Sequence, residues 1–542
     1  MNYRKFYAKK PKSAKSENPT PVVLLNEEYK NTICNSAYLG KKGYTIPKQA
    51  LKEDDLAFLY KDLTVKPVVF GPGAAAPETE FAVFRENANK IYIPRFYGIQ
   101  RYGLPAKSEI CEGDDIDVPF AKPLRDYQNH IVDAYMKYVD KPVCINSHHK
   151  CSGGILEVPC GAGKTVMGLK IISLLKKKTL IIVHKEFLMN QWIERISEFL
   201  PTARVGKIQG PTFDIEEKDI VIGMIQTIYD KEYSLDAFSS FGLTIVDEVH
   251  RIGSEQFSRT LLKTITPFML GISATVDRKD QLTKVLFMFI GEKIYSEKKR
   301  NSDDDVCVRA INYVSKDNEF NEVEYDFRGS PKYSTMISKL CEFGPRSDFI
   351  VRIIGDLIQE NPDNQIMILC HNRSLLTYLH DAIEHKKIAS VGYYVGGMKQ
   401  CNLQETEGKQ IVLATYAMAA EALDIKTLSS LVMVTPKTDI TQSVGRILRV
   451  KHENPIIVDI VDSHDLFQNQ WKQRRAFYKK ANYRIRQIDS NKYTNMSLDW
   501  KNDKTWTHVF EPKKMNEETP KSLNDEDAPI RKCLISLDNL EN

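Results

Sequence analysis

The sequence predicts an α/β protein built from two tandem units, each a parallel sheet covered by helices, with a β-rich accessory segment before them and a polar tail after. Three observations predict it. The chain has 542 residues, too many for one hydrophobic core and enough for about three domains. Across most of that length, short β-branched runs alternate with longer helical patterns, as parallel sheets with both faces covered require. Finally, the stretch Glu157-Val-Pro-Cys-Gly-Ala-Gly-Lys-Thr165 joins an apolar run to a helical one through a glycine-bearing loop. In open α/β sheets, such loops leave the carboxyl ends of strands, where ligands gather.

Composition narrows the class. The hydrophobic fraction of 42% and charged fraction of 27% are those of an ordinary globular chain. A net charge of +5 is mild, so nucleic-acid binding has to be argued from local surfaces. Ten scattered cysteines form no framework and fit reduced thiols in a cytosolic or nuclear setting. Cys144, His148, His149 and Cys151 crowd together, but ligands that close would need help from elsewhere to hold zinc, so a polar loop is the plainer reading. No apolar run approaches the roughly 18–20 residues of a membrane span, and the N-terminus lacks a signal-peptide layout. Residues 1–20 are rich in Lys, Pro and Ser and read as a disordered basic tail. Lys9, Lys10 and Lys12 within it could serve as a nuclear address or a nucleic-acid contact.

Residues 21–119 read as the β-rich accessory domain, with extended runs at Pro67–Phe70, Glu80–Phe84 and Lys90–Pro94 separated by turn signals. Tyr92, Arg95, Phe96, Tyr97, Arg101 and Tyr102 interleave aromatic and basic residues. Nucleic-acid platforms do this, and so do packed domain interfaces. Residues 120–298 read as the first α/β unit, with a helix opening at Lys122-Pro-Leu-Arg-Asp-Tyr-Gln128 and buried-strand runs at Thr179–Val183, Asp219–Gly223, Leu243–Val246 and Phe268–Ser273. Residues 299–343 read as a solvated connector carrying one strand near Val306–Val314. Residues 344–489 form the second unit, with strands at Asn364–Cys370, Val391–Gly397, Gln410–Thr415, Leu428–Thr435 and Pro455–Val461. Trp471–Arg486, basic and aromatic, could grip nucleic acid but reads more plainly as a closing helix with aromatics on the second sheet. Residues 490–542 read as a polar tail in which Trp500, Trp506 and Phe510 could dock.

The loop explains its own composition. Gly161 and Gly163 remove Cβ atoms that would block the backbone, so successive N–H groups and a helix N-terminus can converge on phosphate oxygens. Lys164 can then reach the β- and γ-phosphates of a nucleotide and the Thr165 hydroxyl can ligate Mg²⁺. Val158 stands where the loop pattern usually has its first glycine. Arg125 and Gln128, upstream, could read an adenine edge. About 80 residues downstream, Asp247-Glu-Val-His250 follows an apolar strand. Asp247 can hold Mg²⁺ through its water shell, and Glu248 can orient and deprotonate an attacking water. His250 could couple this site to a nucleic-acid side, and Ser273-Ala274-Thr275 could link it to domain closure. Arg446 and Arg449 lie three apart on a helical segment with no acid within it, and so project from one face. Such a pair can reach across a cleft to a γ-phosphate, a contribution of roughly 10³–10⁵ in rate where arginine fingers are known.

Taken in order, Leu124–Gln128, Pro159–Thr165, Asp247–His250, Ser273–Thr275, Thr415 with Glu421 and Asp424, and Gln442-x-x-Gly-Arg-x-x-Arg449 resemble the motifs of superfamily 2 helicases and translocases. The loop wording and the Asp-Glu-Val-His tetrad are most similar to XPB-type DNA helicases and to the transcription helicases of large DNA viruses. The resemblance implies two RecA-like domains with ATP bound between them. It places Val158, Pro159, Cys160, Gly161, Ala162, Gly163, Lys164, Thr165 and Asp424, with Arg125 and Gln128, around the nucleotide. Asp247 and Thr165 would hold Mg²⁺, Glu248 would be the base, and Gln442, Arg446 and Arg449 would complete the site from the second domain. Gln226, Thr227 and Thr415 would contact a phosphodiester backbone. Arg278-Lys-Asp280 departs from the Arg-Glu-Asp element that this family uses on DNA, and Ala422 replaces a usual glycine. DNA, duplex or single-stranded, is the implied partner, with RNA the alternative, transcription or repair proteins as companions, and no membrane. An inactive ATP-binding scaffold would not need Lys164, Glu248, Arg446 and Arg449 all intact.

Overall fold

The computed structural model describes residues 25–66, 80–140, 152–159, 161–234, 236–249, 255–276, 282–296, 306–327, 329–421, 425, 427–440, 444, 455–493 and 504–512. The Cys144–Cys151 cluster, the basic N-terminal tail, the Pro67–Phe70 run and Trp500 lie outside them.

The N-terminal module carries β1 (Tyr38–Gly40), β2 (Gly43–Pro47), β3 (Thr64–Val65), β4 (Phe81–Ala82), β5 (Arg85–Glu86), β6 (Lys90–Ile93) and β7 (Lys107–Ser108). Five of these form one sheet in the order β5-β6-β2-β1-β7, and β3 pairs with β4. The β-rich expectation holds for this sheet and misses three helices, α1 (Glu27–Ser36), α2 (Glu53–Asp62) and α3 (Arg95–Tyr102). Apolar residues spaced one helical turn apart, such as Tyr29 and Ile33 in α1, are buried and drive the helices onto one sheet face. Its core is not independent. Leu39, Tyr44, Ile46 and Ile91 belong to the same buried cluster as Val246, Leu261, Val285 and Ile290 of the unit that follows.

That unit contains β8 (Gly153–Glu157), β9 (Thr179–Val183), β10 (Val205–Gln209), β11 (Thr212–Phe213), β12 (Ile220–Met224), β13 (Leu243–Asp247), β14 (Phe268–Ser273) and β15 (Lys293–Ser296). They lie in the order β11-β10-β12-β9-β13-β14-β8-β15. All pairings are parallel except the β10–β11 hairpin at the edge. The Thr-Leu-Ile-Ile-Val run of β9 is buried at every position, as a central strand covered on both faces must be. Helices α4 (Asp126–Val139), α5 (Lys164–Leu175) and α6 (Glu186–Phe199) cover one face. The other face is covered by α7 (Ile225–Asp230), α8 (Glu255–Leu261) and α9 (Thr283–Ile290), together with the N-terminal module.

The second sheet consists of β16 (Cys307–Tyr313), β17 (Gln365–Cys370), β18 (Val391–Tyr394), β19 (Ile411–Thr415), β20 (Leu428–Met433), β21 (Ile456–Asp462), β22 (Arg484–Asp489) and β23 (Thr507–Phe510). Its order is β18-β19-β17-β20-β21-β16-β22-β23, again parallel but for the last edge strand. Two expectations are corrected here. The strand assigned to a connector, β16, lies between β21 and β22 inside this sheet, because Val308, Ala310 and Ile311 need cover on both faces. Part of the supposed tail likewise belongs to the fold, as β23 pairs with β22 and Trp506 is buried. The closing helix spans Asp465–Lys480, with Trp471, Arg474 and Tyr478 buried against the sheet, and Arg484 already begins β22. Arg474 forks onto Asp459 at 2.7 and 2.9 Å, and Arg486 is buried as well, so part of that basic run is internal.

Candidate ATP site

Adjacent strands deliver the candidate residues. β13, β14 and β8 are neighbours, and their carboxyl ends lead into Asp247-Glu248, Ser273-Ala274-Thr275 and the phosphate loop. The loop entry is bonded to the second of these, Val158 N–H donating to the Ser273 carbonyl at 2.8 Å. Pro159 and Ala162 shape the loop through Ala162 N–H donating to the Pro159 carbonyl at 3.3 Å. Gly161 and Gly163 both take the left-handed conformation, at φ 83° and 82°. At Gly163 space is a second constraint, since a Cβ would stand 2.3 Å from Gln128 Nε2. α5 then begins at Lys164, placing Lys164 and Thr165 in its first turn.

Gln128 is buried against the loop. Its Nε2 donates to the Ala162 carbonyl at 2.9 Å, and its Oε1 accepts from Arg125 N–H at 3.0 Å. Tyr127 adds a second hydrogen bond to the same carbonyl at 3.0 Å. Both ends of the Gln128 amide are thus engaged within the protein, while Arg125 caps α4 with its side chain exposed.

Lys164 and Glu248 meet directly. Lys164 Nζ lies 2.8 Å from Glu248 Oε1, with the two side chains 11% and 15% exposed. Glu248 holds a left-handed backbone, φ 51°, uncommon for a residue with a Cβ. The turn lifts its carboxylate off the end of β13 towards the lysine. Asp247, the last residue of β13, is buried, and one of its carboxylate oxygens accepts from Trp192 Nε1 at 2.9 Å. Burial pushes its carboxyl well above the ordinary range and the neighbouring Glu248 charge adds to that, against the opposing pull of Lys164 and Trp192.

Trp192 lies in no sequence motif, and Tyr127 and Glu157 stand within motifs that gave them no role in this site. Glu157, the last residue of β8, accepts from Val276 N–H at 2.8 Å, Lys293 Nζ at 2.9 Å and Ser296 Oγ at 2.6 Å. It therefore joins the loop entry to the segment after Thr275 and to β15. Burial alone would raise its pKa, but Ser296, Lys293 and the Val276 N–H together hold it below the usual carboxylate value. Glu157→Gln is expected to lower ATP turnover about ten- to a hundred-fold with the chain still folded, since displacing a catalytic group by ~1 Å costs on the order of 10² in rate. Steady-state turnover beside a circular-dichroism melt checks this. Unchanged turnover would reduce Glu157 to a packing contact.

On the same edge of the sheet, Gln226 and Thr227 open α7. Gln226 Nε2 donates to the His184 carbonyl at 3.0 Å, and Thr227 Oγ1 accepts from Gly210 N–H at 3.1 Å. In the second unit Thr415 ends β19, followed by Tyr416, whose hydroxyl donates to the Thr435 carbonyl at 2.6 Å. Cys160, His250, Arg278-Lys-Asp280, Ala422, Asp424, Gln442, Arg446 and Arg449 lie outside the described residues, as does the side chain of Glu421.

A glycine loop at a strand–helix junction, an adjacent Asp-Glu strand end and two tandem parallel sheets define the class: a two-lobed nucleoside triphosphatase with a motor-type architecture. Comparison with known proteins agrees. The family described as "Type III restriction enzyme, res subunit" matches residues 121–278. A "putative ATP-dependent RNA helicase" of Acanthamoeba polyphaga mimivirus is 32% identical over 477 residues, covering 86% of this chain and 89% of that protein. A protein of the same description from African swine fever virus is 27% identical over 389 residues, 67% of this chain and 73% of its own. The "DNA 3'-5' translocase XPB2" of Sulfurisphaera tokodaii is 32% identical over 208 residues, 37% of this chain and 43% of that one. The chain belongs to the superfamily 2 helicases, with likeness to both the XPB-type and the viral members. It is an ATP-dependent, nucleic-acid-dependent enzyme of that family.

Proposed function

We propose that this helicase is a DNA-stimulated ATPase that moves along or opens duplex DNA. The observation that carries the hydrolytic part is the Lys164–Glu248 contact, which brings phosphate-loop lysine and candidate base into one polar site. In this reading the loop amides and Lys164 bind the β- and γ-phosphates. Glu248 orients a water against the γ-phosphate and takes its proton. Lys164 cannot serve a phosphate and Glu248 equally, so nucleotide binding draws the lysine off the carboxylate and leaves Glu248 available as a base. The donor set of Asp247 carboxylate and Thr165 hydroxyl fits Mg²⁺, a hard cation that keeps several waters and takes few carboxylates. When bound, the ion would offset phosphate charge. Arg446 and Arg449 would add positive charge from the second unit, and Gln226, Thr227 and Thr415 would grip backbone phosphates without reading sequence.

The DNA assignment is supported by the Asp-Glu-Val-His tetrad and by the likeness to a DNA translocase. The RNA reading is the second one, favoured by the descriptions of the two viral relatives. ATP turnover measured at one salt concentration without nucleic acid, with single- and double-stranded DNA, and with single-stranded RNA separates them. Stimulation about ten-fold or more by DNA and little by RNA is the expected result. Equal or greater stimulation by RNA would replace it with the second reading.

A further inference from the structure

The outer face of the N-terminal sheet has a composition that the motor does not use. Cross-strand pairing places Arg85 opposite Tyr92, Tyr92 opposite Thr45, Thr45 opposite Tyr38 and Tyr38 opposite Lys107. One row of side chains thus crosses all five strands, with a cation at each end and one tyrosine on either side of Thr45. The residues between them in sequence, Leu39, Tyr44, Ile46, Ile91 and Ile93, are fully buried on the opposite face, so this row lies on the face away from the core. Thr45 itself is only 1% exposed, roofed by its neighbours. The two rings are two strand spacings apart, about 10 Å.

Lysines surround them. Lys42 Nζ stands 5.1 Å from the Tyr92 ring centroid, and Lys90 and Lys107 stand 5.1 and 4.7 Å from that of Tyr38. Of the three, Lys107 also pairs with Glu109 at 3.0 Å. Arg85 makes no hydrogen bond or ion pair among the described residues. Burial depresses its pKa, with Glu232 opposing and Arg259 reinforcing. It lines a cavity of about 140 Å³ with Lys41 and Lys42 of its own module and with Glu232 and Lys263 of the following unit, Glu232 lying 3.8 Å from Lys263. Lys41 is paired with Asp236, and Lys263 donates to the carbonyls of Ile228, Tyr229 and Lys231 at the end of α7. A guanidinium without a hydrogen-bonded partner among the described residues, at the end of a Tyr–Lys row and beside a cavity where four cations face the one carboxylate of Glu232, suits a polyanion whose bases can lie on rings.

We infer that this face is a second nucleic-acid site, on which Tyr38 and Tyr92 stack bases of a single strand while Lys42, Lys90, Lys107 and Arg85 hold its phosphates. Sheet faces use aromatic rings in this way because every base has a π-face, whereas phosphate contacts alone serve duplex and single strand alike. The site leads past Lys263 to α7, the helix whose first turn holds Gln226 and Thr227. It would tether a strand outside the ATP-driven cleft. The run Tyr92–Tyr102 separates accordingly. Arg95 is buried on the Thr266 and Pro267 carbonyls, and Arg101 and Tyr102 on Asp55, so of that run Tyr92 alone belongs to the row.

The test uses the full-length chain without nucleotide and fluorescein-labelled oligothymidylate and oligouridylate at fixed salt, read by anisotropy. Tyr38→Ala with Tyr92→Ala is expected to weaken single-strand binding at least ten-fold while unstimulated ATP turnover stays within two-fold. Tyr38→Phe with Tyr92→Phe, which keeps the rings, is expected to bind within about three-fold of the parent. Arg85→Gln is expected to weaken binding and flatten its salt dependence. Binding within two-fold of the parent in the double alanine variant overturns the proposal. So does an equal loss in the phenylalanine pair, which would assign the effect to the hydroxyls, or an equal loss with a blunt duplex, which would show that the rings do not act by stacking unpaired bases. Failure of the motor reading would appear separately, as absent ATP turnover with single-strand binding intact.

Discussion

Glu248→Gln is expected to abolish ATP turnover in effect, by about 10²–10⁴-fold, and at the same time to tighten ATP binding several-fold. The first part follows from removing the group that this reading has take a proton from the attacking water. The second follows from the Lys164 contact at 2.8 Å, which in the parent chain has to be given up before the lysine serves a phosphate. Glutamine keeps the shape but not the charge, so Lys164 is released and an anion is removed from beside the incoming phosphates. Because Glu248 sits at φ 51°, glutamine inherits the backbone without new strain. Equilibrium binding of a fluorescent ATP analogue alongside single-turnover hydrolysis separates the two effects. If turnover falls and affinity is unchanged, the Lys164–Glu248 contact carries no energetic weight in binding. Lys164→Met should instead lose both, because it removes the phosphate partner itself.

The largest expected effect on stability lies in the second unit, away from any proposed ligand. Arg346 and Asp462 are both fully buried and joined through Nε and Nη2 at 2.6 and 2.8 Å. Nη2 also donates to the Val434 carbonyl at 2.8 Å. The arginine on the helix Gly344–Glu360 is thereby fixed to the end of β21 and to the residue just past β20. Arg346→Met strands a carboxylate with no water to solvate it and is expected to cost about 3–5 kcal/mol. Arg346→Met combined with Asp462→Leu should recover most of the loss, since an apolar pair of similar volume is often neutral or better. Urea unfolding followed by tryptophan fluorescence reports it, with Trp471 and Trp506 both buried in that unit. A single variant as stable as the parent would mean that Asp462 finds another cation or is neutralised at little cost.

Much of the site was legible because its chemistry is local. A phosphate loop needs glycines, a lysine and a hydroxyl within nine residues. The Asp-Glu pair needs only an apolar strand before it, so Gly161, Lys164, Thr165, Asp247 and Glu248 could be read from short windows. Strand runs such as Thr179–Val183 and Gln410–Thr415 were equally plain, since β-branched residues buried on both faces leave an uninterrupted apolar signature. Helices of the N-terminal module were not, because Arg95–Tyr102 carries arginine and tyrosine where an amphipathic pattern would show leucine. The sequence by itself determined the α/β class, the two tandem units and the chemical identity of the loop and the Asp-Glu strand end.

Only the tertiary structure decided which distant groups close around them. Trp192 reaches Asp247 across 55 residues of chain, Glu157 gathers Val276, Lys293 and Ser296, and Gln128 turns its amide onto the Ala162 carbonyl. It also drew β16 and β23 into the second sheet and merged the N-terminal core with that of the first unit. Hydrogen-bond partners and strand neighbours are set by the order in which strands pack. That order depends on burying all apolar faces at once, and no window of adjacent residues contains it.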